Sequence, residues 1–168
     1  VEILAAMIEK VELSRDATLC AASWGGVVAL AFASKYPNRV KRLVLASLGT
    51  KPNKKMVETI KEGSSLHVSK RDQMADTLLK SFGESLPAKM KKDIINQFRA
   101  MKEENLQAFY DHGLFVITSK QLNEIVDLRA IKEKTILLNG ENDTIIDLDD
   151  VRFLASQIPD CELRIIKG

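Results

Sequence analysis

Residues 19–30, LCAASWGGVVAL, constrain the fold more than any other stretch of the chain. Residues 17–22 (ATLCAA) read as a short buried strand, and WGGVVALAFASKYP as a helix that stops before Pro37. Between them stands Ser23, with Ala21 two residues before it and Gly25 two after. Glycines weaken strands and helices alike, so their presence here needs a local cause. A sharp strand-to-helix turn supplies one. The two elements meet so closely that the residues two away from the serine must be small, and the turn lifts the hydroxyl above the strand end. The first backbone N–H groups of the helix then point at whatever binds there, which makes the Trp24 N–H a candidate oxyanion donor. Gly26 lets the helix lie close to its neighbours. The alternatives are a serine at a tight turn with no chemistry, and a dinucleotide-binding turn. The second fails because SWGGVV lacks the G-x-G-x-x-G spacing.

The same alternation continues. VKRLVLAS (40–47), KTILLNG (134–140) and CELRIIKG (161–168) read as further strands, with a helix over residues 147–157 between the last two. Strands alternating with helices predict an α/β fold with a parallel sheet. Residues 51–130 break the rhythm. They hold no good strand, and Met74, Leu78, Leu79 and Phe82, then Met90, Ile94, Phe98 and Met101, then Leu106, Phe109, Tyr110 and Leu114 recur at helical spacings. The reading is a core of residues 1–50 and 131–168, with a cap of three or four amphipathic helices inserted between the second and third strands. At the start, Val1, Leu4, Ile8 and Val11 fall on one helical stripe.

A serine needs a base and an orienting acid to become a nucleophile. Asp143 lies three residues past Gly140, in the loop at a strand's carboxyl end, where parallel sheets place their sites. The neighbouring NGEND is rich in turn formers, so a turn-forming role is the alternative. Asp147 is the second candidate, and it and its DLDD neighbourhood read as the cap of the following helix. The base should follow the acid in chain order. The two histidines, His67 and His112, both precede it in the helical insert. His67 reads as a partly exposed loop or helix-end residue, and His112 as one able to line a cavity. With nothing before Val1 to give a second oxyanion donor, and the last strand closing at Gly168, the expectation is a piece of a longer polypeptide.

Other features narrow the classes. Apolar residues make up 45% of the 168 and charged residues 29%, an ordinary globular balance, and the net charge of +2 implies no nucleic-acid partner. No apolar run reaches the ~20 residues that span a bilayer, and no signal peptide is present, so a cytoplasmic location is expected. Cys20 and Cys161 sit in strand-like stretches outside any metal spacing and read as buried free thiols. No cofactor or metal is implied. The ATLCAA strand, unpaired on one side, predicts a homo-oligomer or poor solubility.

AASWGG, YPNRVKRLVLAS, LLNGENDTIID and LASQIPDCELRIIKG, in that order, resemble the α/β-hydrolase fold family across nearly the whole chain. SWGG, LPAKMKKDIINQFRAM, ENLQAF and NGENDTI are similar to the bacterial acyltransferases that make the lipid precursor of rhamnolipids. The broader resemblance implies a partial α/β-hydrolase fold of four parallel strands with flanking helices. The narrower one implies Ser23 as nucleophile, Asp143 as acid and a helical cap over an acyl pocket. It also implies an ester or thioester substrate, with a 3-hydroxyacyl chain taken from acyl carrier protein or coenzyme A. Lys89, Lys91 and Lys92 would face such an acidic carrier, or form a solvated helix face. The competing class is a non-catalytic binding protein of the same fold.

Overall fold

The computed structural model describes residues 1–67 and 69–167. Val68 and Gly168 lie outside the described residues, and with Gly168 the expected start of the loop after the last strand. Four strands, β1 (Thr18–Ala22), β2 (Arg42–Ala46), β3 (Lys134–Gly140) and β4 (Cys161–Ile166), form one parallel sheet in the order β1-β2-β3-β4. The register pairs Cys20 with Val44, Val44 with Ile136 and Ile136 with Glu162, so all four carboxyl ends lie on one edge. This is the parallel sheet of four strands with flanking helices that the sequence leads one to expect.

Chain contacts divide the protein into two units, residues 1–51 with 120–168, and residues 52–119. In the first, helix α1 (Glu2–Lys10) precedes β1, α2 (Trp24–Lys35) follows it, and α8 (Leu148–Gln157) joins β3 to β4. α2 packs on β1 and β2, and α8 on β3 and β4. The strand residues alternate as the period of two requires: Leu43, Leu45, Thr135, Leu137 and Asn139 are buried, whereas Arg42, Lys134, Glu162 and Arg164 are exposed. Leu30, Phe32 and Ala33 of α2 and Val151 and Leu154 of α8 complete the core.

Several expectations shift. Of the α1 stripe only Ile8 is buried, with Leu4 and Ala5 half-buried beside it, while Val1 and Val11 are exposed, as are Ile3 and Met7. A nine-residue helix turns its true inward face through Leu4, Ala5 and Ile8. Cys20 and Cys161 are both free, but neither is buried: Cys20 is exposed and Cys161 half-buried. The cause for Cys20 is its pleat, since Leu19 and Ala21 face the core and Thr18, Cys20 and Ala22 the open side of an edge strand. The return boundary of the insert lies at Lys120 rather than 131. A four-residue helix α7 (Leu122–Ile125) and a 3-10 turn (Leu128–Ala130) bring Leu122, Val126 and Leu128 into the sheet unit's core.

Among the described residues the second unit holds four helices, α3 (Lys54–Ser64), α4 (Arg71–Phe82), α5 (Ala88–Ala100) and α6 (Glu103–Thr118). Met74, Ala75, Phe98, Leu106 and Tyr110 are its buried centre. Gly63 is required there, because a Cβ would overlap the Tyr110 ring. The Arg71 guanidinium donates to the Phe98 and Met101 carbonyls and so satisfies the end of α5. Met90, Phe109, Leu114 and Phe115 stay exposed. Among the described residues no helix is long and apolar enough to cross a membrane.

Candidate active site

Ser23 sits between the end of β1 and the first residue of α2 with φ 49° and ψ −126°. Those are the dihedrals of the first central residue of a type II′ turn, a region that glycine adopts freely and other residues rarely do. The turn is held from outside, since the Ser23 amide donates to the Ala46 carbonyl at 2.9 Å and extends the β1–β2 ladder one step past the strands. The Ser47 amide does the same to the Leu138 carbonyl at 3.0 Å, and Ser47 too has a positive φ of 50°. Sequence reasoning passed over Ser47. Its signal was a strand ending in the small residues of LASLG.

The small pair around the serine closes as the turn demands. A Cβ on Gly25 would lie 3.6 Å from the Ala21 Cβ, an ordinary contact, so alanine at position 21 is accommodated. Gly26 is the tighter position, where a Cβ would come within 2.8 Å of Leu48 Cδ2. The Ser23 side chain makes no helix-capping hydrogen bond and the residue is exposed. Its hydroxyl therefore stands at the carboxyl edge of the sheet beside the first turn of α2, where Trp24 is the first residue.

Asp143 stands at the same edge, after β3. Its Oδ1 accepts the amides of Ile145 at 2.8 Å and Ile146 at 3.1 Å, and its own amide reaches the Gly140 carbonyl at 3.3 Å. The turn-forming role is thus observed, and the two amides fix the orientation of the carboxylate. The residue lines an open cavity of about 840 Å³ with Thr50, Lys51, Gln121, Asp147, Asp150 and Phe153 among its walls.

Asp147 occupies the position before α8, but its side chain makes no capping bond to that helix; its carbonyl accepts from the Asp150 and Val151 amides. Asp150, read with DLDD as part of a cap, instead accepts the Thr50 amide at 2.6 Å and the Thr50 hydroxyl at 2.5 Å. No sequence signal links residues 100 apart in this way. His67 and His112 lie in the helical unit, both exposed. The His67 Nδ1 is 2.9 Å from the Ser69 hydroxyl and accepts the Ser69 amide at 3.2 Å. Lys89 and Lys92 are exposed, whereas the Lys91 ammonium donates to the Glu84 carbonyl at 2.9 Å. Among the described residues no three His, Cys, Asp or Glu side chains are placed to hold one metal ion.

Residues 1–168 match the family described as serine aminopeptidase, S33. The (R)-3-hydroxydecanoyl-ACP:CoA transacylase of Pseudomonas aeruginosa is 22% identical over 163 residues, 96% of this chain and 54% of the relative. The poly(3-hydroxyalkanoate) depolymerase of Ectopseudomonas oleovorans is 29% identical over 150 residues, 86% of this chain and 50% of the relative. Among solved structures, an alpha/beta hydrolase enzyme from a Medee basin deep-sea metagenome library superposes with a TM-score of 0.70 at 19% identity, over 99% of this chain and 62% of that one. A thermophilic esterase from Thermogutta terrifontis gives 0.69 at 21%, over 98% and 61%. The chain spans about half the length of those two curated relatives. A family match over the whole chain, on a parallel sheet that carries a serine turn at its carboxyl edge, has one reading: this chain belongs to the serine aminopeptidase S33 family of α/β hydrolases.

Proposed function

We propose that this chain carries the nucleophile and the acid of a serine acyl hydrolase or acyltransferase that acts on an ester or thioester. The observation that carries the reading is the backbone of Ser23. A residue other than glycine is held at φ 49° at the end of a parallel strand, and strain of that kind concentrates at functional sites. The Ser23 hydroxyl attacks the carbonyl carbon and a base takes its proton. The Trp24 N–H donates to the oxyanion of the tetrahedral intermediate. As that intermediate collapses, the carbonyl re-forms and the leaving alcohol or thiol receives the proton. The acyl group on Ser23 then passes to water or to the hydroxyl of a second acyl chain.

The base we assign to a histidine beyond the residues of this chain, as the order nucleophile, acid, base requires. β2 separates β1 from β3, so the ends of the strands that carry the two residues lie two strand spacings apart, about 10 Å. That gap has room for an imidazole. Asp143 Oδ1 is occupied by two amides, and Oδ2 is the atom we assign to the imidazole N–H.

For the acyl group we favour a 3-hydroxyacyl chain delivered as an acyl carrier protein or coenzyme A thioester. The names of two of the curated relatives carry a 3-hydroxyacyl or 3-hydroxyalkanoate unit. On the helical unit Lys89 and Lys92 are exposed and free of the local bond that engages Lys91, and such cations suit an acidic carrier. The test is reaction with a fluorophosphonate, with imidazole added as external base, followed by intact mass and peptide mapping. One adduct on Ser23, absent from Ser23→Ala, is expected. Labelling spread over the exposed serines at similar rates, or no adduct on Ser23, overturns the assignment.

A further inference from the structure

Thr50 is 5% exposed and sits where the chain leaves the sheet unit for the helical insert. Its carbonyl accepts the amide of Leu122, on the segment that returns from the insert, at 2.9 Å. Its amide and hydroxyl go to Asp150 in the first turn of α8, and the Lys51 amide approaches the same carboxylate at 3.4 Å. Acidic residues in a first helical turn usually need no further partner. Asp149 is of that kind and pairs with Arg152 three residues on, at 2.7 Å. Asp150 instead reaches 100 residues back along the chain.

Gly49 closes the arrangement. A Cβ on it would overlap the Asp150 carboxylate and lie 3.3 Å from Ile146 Cγ2, so the Gly49 backbone is wedged between the two. The Ile146 amide is one of the two that hold Asp143 Oδ1. The result is a closed ring with one branch: the Ile146 side chain to Gly49, Gly49 to Thr50, Thr50 to Asp150, and Asp150 back to Ile146 through the three residues between them, with Asp143 joined to the ring by the Ile146 amide. Packed contacts of this sort do not deform continuously, so a displacement at one member is felt at the others.

We infer that Asp150 and Gly49 are positioning residues, which set the Asp143 carboxylate from the stem of the helical insert. The inference rests on the reading of Asp143 as the acid. It means that the connectors to the insert and the acid loop move as one body, and that a change at Gly49–Lys51 is delivered to Asp143 without touching substrate.

The test is residue-resolved amide hydrogen exchange on the 168-residue chain, for Asp150→Asn, Gly49→Ala and Thr50→Ser. Asp150→Asn is expected to speed exchange about tenfold at Thr50, Ile145 and Ile146, the effect of one charge-assisted hydrogen bond. Gly49→Ala should do the same at Ile145 and Ile146. Thr50→Ser keeps both donors and should exchange like the parent. Leu45 and Leu137, inside the sheet, should not change in any variant. Faster exchange at Thr50 with Ile145 and Ile146 unchanged overturns the inference, as does equal acceleration at Leu45 and Leu137. Exchange reads the ring whether or not Asp143 acts as the acid, and labelling of Ser23 reads the chemistry whether or not the ring exists, so the two failures are distinguishable.

Discussion

Replacing Ser23 by glycine should stabilise the protein while removing its proposed nucleophile. Ser23 is held at φ 49°, ψ −126°, and a non-glycine residue there costs roughly 1–3 kcal/mol. Glycine escapes that cost but loses more backbone freedom on folding, roughly 0.5–1 kcal/mol relative to alanine. The side chain makes no capping bond and the residue is exposed, so little else is lost. The balance is a gain of about 1 kcal/mol, which for a chain of this size raises Tm by roughly 2–4 °C. Ser23→Ala keeps the Cβ and with it the strain, and should stay within about 0.5 kcal/mol of the parent. Differential scanning calorimetry of the three proteins under one condition reads the difference. A Ser23→Gly protein no more stable than the parent would refute the strain argument. So would a Ser23→Ala protein that gains as much as the glycine variant, since the gain would then come from the hydroxyl.

Glu133 is 3% exposed and its two oxygens accept the amides of Asn38 at 2.6 Å and Lys132 at 3.0 Å. Glu133→Gln turns one acceptor into a donor against an N–H and should cost about 1–3 kcal/mol in urea unfolding; a neutral result would contradict the bonding described. Burial favours the neutral phenol of Tyr110 and pushes its pKa up to about 12. Because the folded value lies above the unfolded one, near 10, the stabilisation is complete below pH 10 and is lost as pH rises from there toward 12. Tyr110→Phe should flatten that part of the stability profile, and an unchanged profile would count against it. Iodoacetamide at mildly alkaline pH should modify the exposed Cys20 well before Cys161, whose thiol is pushed up to about 11 by burial and by Asp160 beside it. Peptide mapping over time checks the order, and equal rates would contradict the placement of β1.

The repeating part of the fold was legible because it rests on local rules. The strands at 17–22, 40–47 and 134–140 needed only β-branched and apolar runs; the structure keeps 134–140 as read, shortens 17–22 by one residue and 40–47 by three. The serine turn was legible because small residues cluster around Ser23 between a strand and a helix, and the close approach the structure shows there is at Gly26, against Leu48. What escaped was set by distant partners. The Thr50–Asp150 bond joins residues 100 apart, and nothing in DLDD distinguishes Asp150 from a helix cap. Leu122, Val126 and Leu128 read as insert, yet they are core because the return segment packs on the sheet unit. Cys20 lies in an apolar run, but which pleat faces open solvent depends on what covers the sheet.

The most direct measurement is a crystal structure of the chain after reaction with the fluorophosphonate. The account predicts a bond from Ser23 Oγ to phosphorus, the Ser23 φ still positive, and a phosphoryl oxygen within hydrogen-bond distance of the Trp24 amide. An adduct on another residue, or one on Ser23 whose phosphoryl oxygen points away from the first turn of α2, would contradict it.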